Sequence, residues 1–271
     1  MGSIIEWLNL YILFYTCYMS LLADFHNHSC LSPCGSLDLS PRVLADLAAL
    51  RGVNVLALTD HNSSLNCPAF AKVCPPRGIL PIFGLEATTQ EEIHILCLFA
   101  SLEASLDFGK YAYSILMPFP NNPDITGDQV FVDEDDNIQG EVEYYLVNPL
   151  SLTVDSIGAK VTEYGGIVIP AHVDRFAFSM TSQLGAVTPG PWAALECTRL
   201  PPLLWSPLEN GRALDTLGYP LITSSDAHFP EHVARRPFEL DTTLKELAPK
   251  GLDGGADMNV LKRVLTSRPI M

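Results

Sequence analysis

MSLLADFHNH, residues 19–28, is an apolar run that empties into two histidines one residue apart. The same arrangement recurs down the chain: NVLALTDH (54–61), GILPIFGLE (78–86) followed by IHILCLF (93–99), IVIPAH (167–172) and PLITSSDAH (220–228). Each apolar stretch thus delivers a polar group: His26-x-His28, Asp60-His61, Glu86 with His94, His172, and Asp226-x-His228. Six of the seven histidines stand in these clusters, and only His232 lies outside them. In an extended segment, residues two apart point to one face, so His26 with His28, and Asp226 with His228, can each present a pair of groups to one point. Neutral imidazole and carboxylate suit zinc, manganese or iron. A lone buried histidine is more often a hydrogen-bonded core residue than a ligand; the recurrence turns the reading toward a metal site.

Seven stretches read as strands: Leu21–Phe25, Asn54–Leu58, Gly78–Gly84, Ile93–Phe99, Ile167–Ile169, Trp192–Leu195 and Pro220–Thr223. Their continuous apolar runs fit strands buried on both faces, as in a parallel sheet covered by helices. Ser40-Pro41 opens one intervening helix and Gly52 ends it, while Val154–Tyr164 is a second, stopped by Gly165-Gly166. The expected fold is α/β, a distorted seven-stranded (β/α) barrel with an inserted segment. Active sites of such barrels collect at the C-terminal ends of the strands, which would gather clusters spread over some two hundred residues. His94 fits less well, because it begins its strand.

The 271 residues suffice for one large domain, and 48% hydrophobic against 17% charged residues allows a substantial core. A net charge of −15 argues against long duplex nucleic acid and anionic membrane as partners. Seven cysteines without a CxxC pair read as a reducing, cytoplasmic setting. Residues 1–22 are an apolar extension. It is either a membrane anchor, which its missing basic flank disfavours, or a stretch preceding a natural start at Met19. The barrel is expected over 23–245. An insertion at about 101–153 reads as an irregular loop with an acidic run, Asp133–Asp136, and is either a cap over the site or a solvated excursion. A helical tail follows over 246–271, expected on the outside of the barrel.

At DFHNHSCLSPCG (24–35), LTDHNS (58–63), GLEATT with EIHILCLF (84–99), IPAHVDR (169–175) and TSSDAH (223–228) the sequence resembles the polymerase-and-histidinol-phosphatase (PHP) family of metal-dependent phosphoesterases. The resemblance covers roughly residues 23–240 and implies two or three divalent ions, manganese, zinc or iron, at the barrel rim. It implies His26, His28, Glu86 and Asp226 as ligands of one ion, with Glu86 bridging to a second held by His94 and His172. His61 and His228 match ligands of a third ion. Where trinuclear members carry a further histidine, this chain has Cys34. Cys34 is either a thiolate ligand or a small packed residue with that position empty. Asp60 is expected behind the ligands, fixing a histidine tautomer.

Phosphate ester hydrolysis needs a nucleophile at neutral pH and relief of negative charge, which paired metal ions supply. Glu86, Asp226 and His228 are the expected catalytic groups, although metal ligands make poor proton donors and the general acid stays unassigned. Arg175 and Arg199, near strand ends, are candidate phosphate contacts, with surface ion pairs as the alternative; Glu196 is a further rim residue or the partner of Arg199. The leading expectation is hydrolysis of a small phosphorylated substrate such as a nucleotide or oligonucleotide end. An amidohydrolase-like activity is weakened by the lack of a lysine at a strand end between Glu86 and His172. A non-catalytic metal-binding module is the third reading.

Overall fold

The computed structural model describes residues 20–203 and 213–268. The extension before Met19 and the choice of start lie outside the described residues, as do the last three positions of the tail.

Six of the seven expected stretches lie largely in strands, β1 (Leu21–Asp24), β2 (Val55–Leu58), β3 (Leu80–Thr88), β4 (His94–Phe99), β7 (Ile167–Pro170) and β9 (Leu221–Thr223), while Trp192–Leu195 meets β8 (Leu195–Cys197) only at Leu195. Three more were not expected: the hairpin β5 (Val130–Val132) and β6 (Ile138–Glu141), and β10 (Phe238–Leu240). The architecture is mixed α/β, with a six-stranded sheet in the order β10-β1-β2-β3-β4-β7 curled into a half-barrel. β8 and β9 form a separate parallel pair, joined to the main sheet by single bridges between Val168 and Trp192 and between Asn27 and Ala227. The sheet is not all parallel. β4 runs antiparallel to both β3 and β7, and β10 is antiparallel to β1.

That reversal accounts for His94. In the β3/β4 register His94 faces Thr88, so the start of β4 lies at the same end as the finish of β3. A residue that begins its strand therefore reaches the same rim as residues that end theirs.

Every position of β2, β3, β4 and β7 is buried, and alternate side chains enter different clusters, as a pleated strand requires. Leu80 and Ile82 join the inner cluster with Phe25, Val55, Leu96 and Ile169. Phe83 packs with helical residues Leu44 and Phe70, and Leu85 with Phe108 and Ile157. The covering helices are α1 (Pro41–Leu50), α2 (Cys67–Val73), α3 (Leu102–Ser114) and α5 (Val154–Glu163). α1 starts as its sequence dictates: the Ser40 side chain accepts from Val43 N–H, with proline at the first turn.

The insertion is more regular than its prolines suggested. Its first part is α3, capped by Ser101; the short α4 (Pro123–Thr126) and the β5/β6 hairpin follow. The acidic turn is held to α1 and α2, Asp135 and Asp136 pairing with Arg42 and Glu134 with Lys72. Gly127, at φ 93°, lies so close to the Pro33 carbonyl that a Cβ there would clash with it. The tail also departs from expectation. After α7 (Leu244–Leu247), α8 (Met258–Thr266) sends Leu261 and Leu265 into the inner cluster, and Arg268 Nε donates to the Leu221 carbonyl at the start of β9. The tail closes the end of the sheet where strands begin, opposite the histidine-bearing rim.

Phe70 is fully buried between α1, α2 and the sheet. Phe70→Ala should cost about 3–5 kcal/mol of unfolding free energy, whereas Leu50→Ala, at an 82% exposed position, should stay within about 0.5 kcal/mol. Urea titration checks both, and a loss below about 1 kcal/mol for Phe70→Ala would contradict the packing described.

Candidate metal centre

The clusters meet because neighbouring backbone segments hand hydrogen bonds from one to the next around the rim. Thr59 N–H donates to the Asn27 carbonyl, Glu86 N–H to Asp60, Ala171 N–H to His94, Val173 N–H to Glu196, and His28 N–H to Ala227. Two candidate ligands, His172 (φ 33°) and Asp226 (φ 47°), have left-handed backbone, a strained conformation for non-glycine residues that collects at functional sites. The second is held by its surroundings. Asp24 accepts from Ser225 N–H at 2.9 Å and from its hydroxyl at 2.5 Å, and Arg235 donates to the Ser225 and Asp226 carbonyls.

Glu86 is the hub. Its carboxylate is 1% exposed, and ring nitrogens of five histidines, His26, His28, His61, His94 and His172, lie 2.9–3.4 Å from its oxygens. Asp226 Oδ1 is 3.5 Å from His26 and His28 and 3.4 Å from His228. Three overlapping groups have ligand atoms within 4.8 Å of one another: His26, His28 and Asp226; His61, Glu86 and His94; His28, His61 and His228.

Behind these groups stand residues that set tautomers. His26 Nδ1 donates to Glu196 Oε2 at 2.8 Å, leaving Nε2 toward Glu86 and Asp226. His28 Nδ1 donates to Ser32 Oγ at 2.9 Å, and Ser32 donates on to Asp60 Oδ1 at 2.7 Å. Asp60 also accepts from Ser29 N–H and hydroxyl, each at 2.7 Å. Asp60 thus reaches His28 through a serine, the indirect role expected of it. Glu196 meets His26 rather than Arg199.

Burial would raise the Glu86 carboxyl, but the facing imidazoles of His94, His26 and His61 hold it well below the usual range. Asp226 behaves alike, with His26 and His28 overcoming burial. Burial, then the neighbouring His228, pushes His28 down to about 3; burial also lowers His61 and His172. His26 moves the other way, burial being outweighed by Glu196, Glu86 and Asp226. The centre therefore combines ionised carboxylates with imidazoles of which His28, His61 and His172 are driven toward neutrality. His61 Nδ1, His94 Nε2 and His172 Nδ1 are buried without a hydrogen-bond partner, a costly state unless another group uses them. Such a donor set fits a first-row divalent cation.

The centre opens into a cavity of about 430 Å³ lined by His61, Glu86, His94, His172, Asp226 and His228, and at its mouth by Arg175 and Arg235. Arg175 pairs with Asp226 at 2.9 Å. Arg199 is exposed and does not line the cavity. Cys34 lines it but is exposed and belongs to none of the three ligand groups; the protein around it, then the charge of Glu86, pushes the thiol up to about 12. The insertion contributes Tyr145 and Val147 to the wall, tied down by Asn62, next to His61, which donates to the carbonyls of Leu146 and Asn148. Sequence reasoning missed Ser32, Arg235, Phe178 and His232; only His232 carried a signal, as a seventh histidine four residues beyond His228.

Residues 24–130 match the model of the PHP domain. Over that stretch the chain is similar to a PHP domain. The match includes His26, His28, His61, Glu86 and His94, while His172, Asp226 and His228 lie beyond it and join them in space. Among solved structures, a lesion-specific endonuclease from Pyrococcus furiosus is similar at TM-score 0.53 and 18% identity, over 83% of this chain and 54% of its own. This chain therefore spans about half the length of that endonuclease. A provisionally assigned metal-dependent phosphoesterase from Bifidobacterium adolescentis matches at TM-score 0.51 and 17% identity, over 94% and 99%. An amidohydrolase from Chromobacterium violaceum, with bound sulfate, matches at 0.50 and 17%, over 80% and 90%. At these identities the likeness is one of fold and fixes no substrate. No curated protein matches the sequence. Among the described residues no helix is long and apolar enough to cross a membrane.

If Glu196 orients His26, Glu196→Gln should weaken zinc or manganese binding about 10–100-fold. Calorimetric metal titration of both proteins reads this directly, and equal affinities would remove Glu196 from the centre.

Proposed function

We propose that this protein is a metal-dependent phosphoesterase acting on small phosphorylated molecules, such as a nucleotide or the end of an oligonucleotide. The observation that carries the reading is the buried Glu86 carboxylate ringed by five imidazoles at the floor of a cavity with Arg175 at its mouth. His26, His28, Glu86 and Asp226 would hold one ion, Glu86, His94 and His172 a second, and His61 with His228 a third. When bound, divalent ions at such a centre supply an acidified water and neutralise the phosphoryl oxygens. Cys34 is an accessory ligand at most, since it stands outside the ligand groups.

The protein's own part is to place the ester and to keep the imidazoles oriented. Glu196 and the Asp60–Ser32 pair fix the tautomers of His26 and His28. Arg175 shares its guanidinium between Asp226 and the cavity, and a phosphate would take the donors that Asp226 leaves free. The strands and their bridges are read as one distorted seven-stranded barrel, β8 and β9 filling the gap between β7 and β1. The chain's net charge of −15 fits a small substrate better than a long duplex. An amide substrate is less well supported, because no lysine lines the cavity. A cytoplasmic setting rests on the unpaired cysteines, all six described ones being free.

Manganese-loaded protein should hydrolyse nucleoside monophosphates or short oligonucleotides, and a chelator should abolish turnover. Asp226→Asn should lower turnover by about 10²-fold or more, taking the lost carboxylate as at least as damaging as one lost electrostatic donor. Absence of turnover from folded, metal-replete wild type on every phosphate ester would falsify the reading. Arg175→Ala should raise KM more than it lowers kcat, as removal of a ground-state phosphate contact does; an unchanged KM would remove Arg175 from substrate binding.

A further inference from the structure

Hydrolysis of an ester of a poorly acidic alcohol needs a proton for the leaving oxygen, and the imidazoles grouped around Glu86 and Asp226 have no proton to spare once their lone pairs are engaged. His232 is placed differently. It ends the short 3₁₀ turn Pro230–His232, is half-buried, and lines the same cavity as Glu86, His94, His172 and Arg175. It belongs to none of the three ligand groups. Phe229 packs edge-on against its ring at 5.4 Å and 84°, and among the described residues no hydrogen bond engages either ring nitrogen.

We infer that His232 is the general acid, giving its proton to the leaving oxygen of the phosphate ester. The inference rests on the phosphoesterase reading above. The ester O–P bond breaks and the leaving oxygen takes the imidazolium proton. The attacking water adds its oxygen to phosphorus and releases a proton. The neutral imidazole is then reprotonated from solvent, so ester and water become alcohol and phosphate. The other protic groups on the cavity wall are less suited near neutral pH. The Tyr145 phenol is raised by burial and the Cys34 thiol is pushed up to about 12, while an arginine does not release its proton. An imidazole has an ordinary value near neutrality, where general acids act best. The protein around His232, then Arg235 and His228, lower it, while Glu231 and Asp226 oppose them. From across the cavity it shares its surroundings with Cys34, Tyr145 and Arg175; an arriving phosphate dianion would favour its protonated form.

The test compares an alkyl phosphate, whose alcohol leaves poorly, with a nitrophenyl phosphate of similar size, on manganese-loaded wild type, His232→Gln and Tyr145→Phe. His232→Gln should lose about 10²–10⁴-fold on the alkyl ester and only a few-fold on the nitrophenyl ester, with the same manganese stoichiometry by elemental analysis as wild type. Because the acid must be protonated, wild-type kcat on the alkyl ester should fall as pH rises through the His232 pKa, and that limb should vanish in the variant. Equal losses on both esters, or no loss on either, would overturn the role of His232 while leaving the phosphoesterase reading intact. A leaving-group-selective loss in Tyr145→Phe instead would move the role to the phenol. Metal-replete wild type inert toward both esters would sink the phosphoesterase reading and this role together.

Discussion

A carboxylate removed from water must be matched by something, and the whole rim is organised around that demand at Glu86. At 1% exposure an isolated carboxylate would pick up a proton, because burial disfavours its charged form. Here five imidazoles surround it, yet burial drives His28, His61 and His172 toward neutrality. Neutral imidazoles stabilise an anion less than a cation does, and several of their nitrogens are left without partners. Positive charge delivered to the middle of the cluster would satisfy both sides at once. The geometry has the form of a site whose last component is a metal.

Holding six imidazoles and two carboxylates at one place requires supporting residues, of which only Arg235 also lines the cavity. Glu196 and Asp60 spend their charges orienting His26 and His28, the second through Ser32. Asp24, Arg235 and Arg236 hold the Ser225–Asp226 backbone, where left-handed conformation must be maintained. The inner apolar cluster and α8 support these residues from beneath. Stability and function are therefore divided along the strands: apolar contacts toward the end sealed by α8, charged and imidazole groups toward the open end.

Much of this was legible in the sequence because the signal was periodic and chemically unusual. An apolar run ending in histidine or carboxylate marks a strand delivering a ligand-type side chain to a rim, and six of the seven expected stretches lie largely in strands. Strand direction was not legible, since an apolar run reads alike both ways; the reversal of β4 emerged only from its pairing with Thr88 opposite His94. The helix α3 was obscured by the prolines that follow it, and β10 by its three-residue length. Long-range hydrogen bonds were the hardest to see. Glu196 and His26 are 170 positions apart, and nothing local to either residue announces the other.

Charge distribution supplies the last constraint. A chain at −15 repels anions at long range, so an anionic substrate must be drawn by local features strong enough to overcome that field. Arg175, Arg235 and His232 all line the cavity that holds the Glu86 carboxylate. The two arginines compete with Asp226, which already pairs with Arg175. If the carboxylates are committed to metal ions, that competition weakens and the mouth becomes net positive. On the proposed reading, metal ions held by Glu86 and Asp226 would free the Arg175 guanidinium from its pairing with Asp226 and leave it to a substrate phosphate.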